Sequence, residues 1–331
     1  MLMEYIWNTG IEVTLLAQGA GEWLLPLMQT ASLLGTEGFY LVFLIIIYWC
    51  IDPRAGRLLG FMLLLSDSVN TFLKLLFHHP RPYWYSSRVA ALGIENSFGL
   101  PSGHAQHSVT MWGTLALLCS GRKLRAALII IIILISFSRI YLGVHFVTDV
   151  LLGWITGTAL LFAVNRFFTA ASVMAGRWKM SSQLLLAFLA AAALAGIQTI
   201  PLLLHTGWIL PGEWMSNIAA AIPGAEMPDP RRISGIVSVS GAALGYGAGL
   251  ALLFKTGGFH AAGSAKQRCA RLIPGLIITV AIYAGLKAVL PQGDSLCAEG
   301  FRYLRYALTG LWITWGAPEM FIRLGLARRV R

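Results

Sequence analysis

The sequence predicts an all-α fold: a polytopic transmembrane helical bundle of about nine spans, preceded by an N-terminal interfacial helix. Three observations predict it. Of the 331 residues, 57% are hydrophobic and 12% charged, with a mean hydropathy of +0.70, whereas a soluble domain carries about 25% charged residues. Apolar runs close to the ~20 residues that a helix needs to cross a bilayer recur along the chain. Basic residues collect in alternate connecting segments, as they do in membrane proteins.

Taken in order, the first segment is residues 1–35. Gln18, Glu22, Pro26 and Gln29 interrupt its apolar pattern, which favours a helix along the membrane surface over a further span. Spans follow at roughly 36–51, 58–78, 104–120, 125–141, 145–166 and 183–205, forming a core of residues 36–205. Residues 206–331 form an extension with spans at roughly 233–254, 272–290 and 304–322. Gly316, Pro318 and Glu319 interrupt the last of these. Gly241, Gly245 and Gly249 recur every four residues in the seventh span and predict close packing against another helix of the same chain.

The net charge of +11 has a membrane explanation rather than a nucleic-acid one. With the 79–103 loop placed outside, 16 of the 25 basic residues fall on the opposite side. These are Arg54, Arg57, Arg122, Lys123, Arg125, Arg166, Arg177, Lys179, Lys255, Lys266, Arg268, Arg271, Arg323, Arg328, Arg329 and Arg331. The positive-inside rule makes that side cytoplasmic. The expectation is an inner or plasma membrane protein with its N-terminus and the 79–103 loop outside and its C-terminus inside. No basic n-region with a small-residue cleavage site opens the chain, so no cleaved signal peptide is expected. Cys50, Cys119, Cys269 and Cys297 form no CxxC or zinc-type pair and read as small buried hydrophobes.

Ionisable residues near a bilayer are costly and mark function. Three clusters share the outer boundary: Lys74 to Arg81-Pro82, Pro101-Ser102-Gly103-His104, and Ser138-Arg139 through His145 to Asp149. Lys74, Arg81 and Arg139 can converge on one anion, the arginines as rigid donor forks and the lysine as a point charge. Ser102 and Gly103 open a helix whose N-terminus offers free N–H groups to a phosphate. Asp149 lies one turn after His145, so its carboxylate can hold one imidazole nitrogen and leave the other free to attack phosphorus. His104, on a different helix, is placed to act as general acid and then general base. This set describes two-step phosphoryl transfer with His145 as nucleophile and no metal or other cofactor. His104 and His107 share an H-x2-H spacing, but no third ligand accompanies them.

Other residues carry weaker signals. His78, His79, Tyr83 and Trp84 are candidate substrate-facing residues, although Tyr83, Trp84 and Tyr85 also fit an aromatic belt at the membrane interface. Arg88 reads as a loop charge or a second-phosphate contact. His205 and His260 read as loop residues, and Arg231 and Arg232 as flanks of the seventh span.

K-x6-RP, PSGH and SR-x5-H-x3-D, in this order between residues 74 and 149, resemble the three signature motifs of the type 2 phosphatidate phosphatase superfamily. That group includes lipid phosphate phosphatases, undecaprenyl-pyrophosphate phosphatases, glucose-6-phosphatases and vanadium haloperoxidases. The resemblance implies the same roles for the same residues and makes residues 36–205 a phosphatase core. It implies a lipid phosphate or lipid pyrophosphate as substrate, with membrane lipids as surroundings. The stretches Arg81–Tyr85 and Ser138–Leu142 are also similar to those of glucose-6-phosphatase, which implies a sugar phosphate instead. Asp149 fits the lipid-phosphatase pattern. Phosphoryl transfer between lipids is a third reading.

Overall fold

The computed structural model describes residues 2–330, and it is helical almost throughout. In chain order the helices are α1 Leu2–Gln18, α2 Leu25–Leu33, α3 Glu37–Ile46, α4 Pro53–Phe77, α5 Pro82–Tyr85, α6 Gly103–Leu118, α7 Arg122–Tyr141 and α8 Val147–Gly176. They continue as α9 Met180–Leu204, α10 Gly212–Ala221, α11 Ser234–Thr256, α12 Ala265–Val280, α13 Leu286–Val289, α14 Leu296–Leu311 and α15 Ala317–Arg323. One short antiparallel pair, β1 Phe259–His260 with β2 Arg328–Arg329, accompanies them.

Among the described residues, six helical stretches are long and apolar enough to cross a membrane, or up to seven if a bent pair counts as one span. The expected nine are therefore not matched one for one, and the differences have physical causes. The pair Glu22–Leu33 and Glu37–Ile51 meets at 52°, so the expected span at 36–51 is half of a broken element. Helix α6 has 16 residues and is mostly buried, short for a crossing but suited to a protein-lined interior. The last expected span is helical from Leu296 to Arg323 through a π turn at Trp312–Gly316. It carries Glu299, Arg302, Arg305 and Glu319, too many charges for a simple crossing.

The chain divides into two compact units. One comprises residues 1–40, 69–164 and 198–232, and the other residues 41–68, 165–197 and 233–331. In the first, α7 packs against α1, α2 and α6, and α5 packs against α1 and α10. The isoleucine run of α7 leaves Ile129, Ile130 and Ile133 exposed, as a lipid-facing surface should be, while Ile135, Ser138 and Arg139 turn inward. Gln18, one of the polar breaks near the N-terminus, bonds through Nε2 to the carbonyls of Ala90 (2.8 Å) and Tyr141 (3.1 Å). It thereby ties α1 to the end of α7.

The second unit has its own core of Tyr48, Trp49, Leu253, Phe259, Ile313, Ala317 and Phe321. Tyr48 and Trp49 donate to the carbonyls of Thr314 (2.6 Å) and Ile313 (3.0 Å), which satisfies their polar ends inside an apolar cluster. Arg271, counted above as a topology signal, is fully buried, and its guanidinium donates to Ala261 O at 2.7 Å. The cysteines are free; Cys50 is buried, while Cys269 and Cys297 are exposed, contrary to the expectation that all are buried.

The glycine stripe packs within the chain, as expected. A Cβ on Gly241 would lie 2.5 Å from Tyr303 O, and one on Gly245 would overlap the backbone of α14 at Ala307. Gly245→Val should therefore lower the thermal unfolding midpoint in detergent, through overpacking worth about 1–3 kcal/mol or more. Gly196→Ala, where an added Cβ meets nothing, should leave the midpoint unchanged or raise it.

Candidate active site

The first unit brings the three clusters together at helix ends. Lys74 lies in the last turn of α4 and Arg139 in the last turn of α7, where a cation also meets the negative end of the helix. Ser102 is the N-cap of α6; its Oγ accepts from Ala105 N at 3.4 Å, and its own N–H donates to Asp149 O at 2.9 Å. Gly103 fits because Asn70 presses on it: a Cβ there would lie 3.2 Å from Asn70 Oδ1. Asn70 Nδ2 donates to Pro101 O (3.3 Å) and Gln106 Oε1 (3.0 Å), fixing the turn that precedes α6.

The turn between α7 and α8 sets the histidine. Gly143 has φ +74°, a conformation that suits glycine, and it reverses the chain so that Val144 N and His145 N both donate to Arg139 O at 3.2 Å. Asp149 then sits in the first turn of α8, where its Oδ2 accepts from Phe146 N at 2.9 Å, as an acidic group at this helix position does. The same Oδ2 lies 3.2 Å from His145 Nδ1.

The other nitrogen of His145, Nε2, lies 3.1 Å from Arg81 Nη1. An arginine donates and cannot accept, so Nε2 must present its lone pair and the proton must sit on Nδ1, facing Asp149. The neighbours thus assign one tautomer. His79 follows the same logic. It is buried, and its Nε2 accepts from Trp7 Nε1, a donor only, at 2.5 Å. Its Nδ1 lies 3.3 Å from Asp149 Oδ1, without the alignment of a hydrogen bond. Asp149 is therefore flanked by two imidazoles, each turning Nδ1 toward it.

Arg81 is fully buried, and all five of its N–H groups have acceptors. Nε donates to Ser97 O (2.6 Å), Nη1 to Val144 O (2.9 Å) and His145 Nε2, and Nη2 to Ser97 Oγ (3.0 Å) and Phe98 O (3.1 Å). Lys74 Nζ donates to the same Ser97 hydroxyl at 2.8 Å. Arg139 donates through Nη1 to Ser32 Oγ and through Nη2 to Glu95 Oε1. His104 is packed beside Gly35, and its Nε2 is buried with no hydrogen-bond partner among the described residues.

Glu95, Ser97, Ser32 and Trp7 are contributors that motif reading passed over. Burial would push the Glu95 carboxyl up, but Arg81, then Arg139, His104 and Lys74, hold it down at about 2. A glutamate six residues before the proline of PSGH was the available signal, in a loop otherwise poor in charge.

The candidate substrate-facing residues divide. Tyr83 and Trp84 are buried, so neither forms the membrane-facing belt. The Tyr83 hydroxyl donates to Glu95 O (3.2 Å) and accepts from Glu95 N (3.3 Å), and Arg81 lies over the Trp84 ring at 5.9 Å. Tyr85 packs on Trp7. His78 ends α4 with φ +49° and stacks on Trp208, with His205 against its edge and Arg231 Nη1 3.2 Å from its Nε2. His205 and Arg231, read above as a loop residue and a span flank, therefore belong to this cluster. Arg88 pairs with Glu12 at 2.7 Å on the surface.

Residues 55–173 match the family described as the PAP2 superfamily, and residues 237–329 match its "PAP2 superfamily phosphatase, transmembrane extension". Phosphatidylglycerophosphatase B of Bacillus subtilis (strain 168) is 32% identical over 158 residues, which is 44% of this chain and 75% of that protein. The chain belongs to the PAP2 superfamily. This PAP2 protein is an integral, multi-pass membrane protein. Sphingosine-1-phosphate phosphatase 2 of Mus musculus is 29% identical over 145 residues, covering 42% of this chain and 41% of that protein. The chain thus spans less than half the length of that relative. A crystal structure of a transmembrane PAP2-type phosphatidylglycerolphosphate phosphatase from Bacillus subtilis is 27% identical, covers 49% of this chain and 86% of that one, and superposes with a TM-score of 0.43.

Two measurements check this arrangement. The 15N shifts of His145 should report a protonated Nδ1 and a bare Nε2; the opposite pattern would contradict the arginine contact. The Glu95 carboxyl, depressed by its cations, should stay ionised as pH falls to about 3. The stability of its pair with Arg139 is fully present above the unfolded value of about 4.3 and is lost only as pH falls through about 2. A 13C-detected titration of Glu95 reads this directly.

Proposed function

We propose that this protein hydrolyses a lipid phosphate or lipid pyrophosphate at the outer face of its membrane, through a phosphohistidine. One observation carries the reading: His145 Nε2 presents a lone pair beside the Arg81 guanidinium, while Nδ1–H faces Asp149. An imidazole held in this way is a nucleophile next to a built-in anion receptor.

The reaction follows from the same atoms. Phosphate oxygens take over donors of Arg81, Arg139 and Lys74 and the free N–H groups at the start of α6. Nε2 of His145 attacks phosphorus, the bond from phosphorus to the leaving oxygen breaks, and protonated His104 gives that oxygen its proton. Asp149 stabilises the charge that forms on the His145 ring. In the second step His104 takes a proton from water, the water oxygen attacks phosphorus, and the N–P bond breaks. Phosphate leaves, and His145 and the protonated His104 are regenerated. Three cations and a helix N-terminus supply the charge stabilisation that a metal supplies elsewhere, so the reaction is expected to proceed without one.

The relatives named above support a lipid substrate, as does a site whose residues lie on the ends of membrane helices. The charge asymmetry of the loops supports the outer face. The similarity of Arg81–Tyr85 and Ser138–Leu142 to glucose-6-phosphatase supports a sugar phosphate as the second reading.

Detergent-purified protein should release phosphate from phosphatidylglycerol phosphate, phosphatidate or a polyprenyl pyrophosphate, and EDTA should not slow it. His145→Ala should lower turnover by about a thousandfold or more, and Asp149→Asn by about a hundredfold or more, with folding intact. An active His145→Ala protein would remove the nucleophile from the scheme. Faster turnover of glucose 6-phosphate than of any lipid would establish the second reading.

A further inference from the structure

Glu95 is the one acidic side chain set against both arginines of the cradle among the ion pairs of the described residues. Its Oε1 accepts from Arg139 Nη2, and its Oε2 lies 3.8 Å from Arg81 Nη2. Those are the donors that a bound phosphate would engage. A carboxylate resembles two oxygens and one charge of a phosphate, and it matches guanidinium geometry in the same way.

Its setting is directional. Arg81 and Arg139 are 0% and 5% exposed, whereas Glu95 is 26% exposed. The carboxylate is therefore on the open side of the cradle, with the guanidinium groups behind it. Its backbone is anchored on both sides by the Tyr83 hydroxyl, so the side chain can swing while the loop stays in place.

We propose that the Glu95 carboxylate is an internal anion that occupies the cradle between turnovers and sets the charge a ligand must carry to displace it. This inference rests on the reading of the cradle as a phosphate site. When the closed form dominates, the apparent affinity of any ligand falls by the fraction of molecules that are open. A phosphodiester carries one negative charge and replaces one with one, with no electrostatic gain to offset the cost of moving Glu95. A terminal phosphate carries two and adds a further charge against Lys74, Arg81 and Arg139. The consequence is specificity. A bilayer presents phosphodiester headgroups at high local density, and an open three-cation site would fill with them. Glu95 keeps them out while admitting a doubly charged terminal phosphate. The depressed carboxyl described above keeps this competitor ionised at any working pH.

The test is calorimetric titration of the full chain in one detergent, with inorganic phosphate and with dimethyl phosphate as probes. Wild type, Glu95→Gln and Glu95→Ala are compared after thermal unfolding shows that each is folded. Glu95→Gln is nearly isosteric and keeps the cradle filled with an uncharged group, and Glu95→Ala opens it. Both variants should bind phosphate about tenfold tighter or more, and both should bind dimethyl phosphate at concentrations where wild type does not. Phosphate affinity unchanged or weakened in both variants would overturn the proposal, because that is the result if Glu95 only holds the arginines in place. Wild type binding phosphate with no gain in the variants defeats this inference alone. Phosphate binding absent from wild type and from both variants removes the cradle and the proposed function with it.

Discussion

Three cations held around one small volume repel each other, and a low-dielectric surrounding strengthens that repulsion. The first unit is built to accommodate this. Arg81 has an acceptor for each of its five N–H groups, and three of these are backbone carbonyls, of Ser97, Phe98 and Val144. Carbonyl dipoles offset a buried charge without adding a titratable group. The loop between α5 and α6 and the turn between α7 and α8 take their shapes from supplying those oxygens. Ser97 Oγ serves Lys74 and Arg81 together, and Glu95 supplies the carboxylate that faces both arginines. Removing any of these acceptors would leave a buried charge partly unpaired, which is far costlier than losing an ordinary hydrogen bond.

The same economy governs the histidine. Asp149 fills a helix-start position, accepts from Phe146 N and lies beside His145 Nδ1, so a single carboxylate both caps α8 and orients the imidazole. Its main-chain oxygen receives Ser102 N, which joins the starts of α6 and α8. His79 and Trp7 close the other side of the carboxylate. In the proposed reaction the nucleophile is thus held from both ends: by a carboxylate that fixes its proton and by a guanidinium that faces its lone pair. Preorganisation of this kind removes reorganisation cost from the chemical step.

The second unit follows different physics. Its α11 and α14 approach along a stripe of glycines, and its buried cation, Arg271, is answered by carbonyl oxygens rather than by acids. Arg305 is likewise buried, against the rings of both Tyr283 and Tyr306, where aromatic faces replace a counter-charge. These are solutions for stable packing in an apolar setting.

The sequence by itself determined the helical membrane class, because apolar content and run length act locally and need no partner. It also determined which residues of the motifs assemble. Lys74, Ser102, Arg139, His145 and Asp149 all fall at ends of apolar runs, and helices that must begin and end at a boundary carry their end residues to the same level. The tertiary structure alone decided the rest. Glu95 lies in a loop without periodicity, so only the folded chain shows that it faces Arg139. Ser32 and Trp7 come from an N-terminal segment that looked peripheral, yet they contact Arg139 and His79. Span counting fell short at α6 and at residues 296–323 because protein burial, not lipid, surrounds much of the first, and charge satisfied inside the fold marks the second. Long-range contacts of this kind depend on which helix faces meet, and a pattern read along one chain does not carry that information.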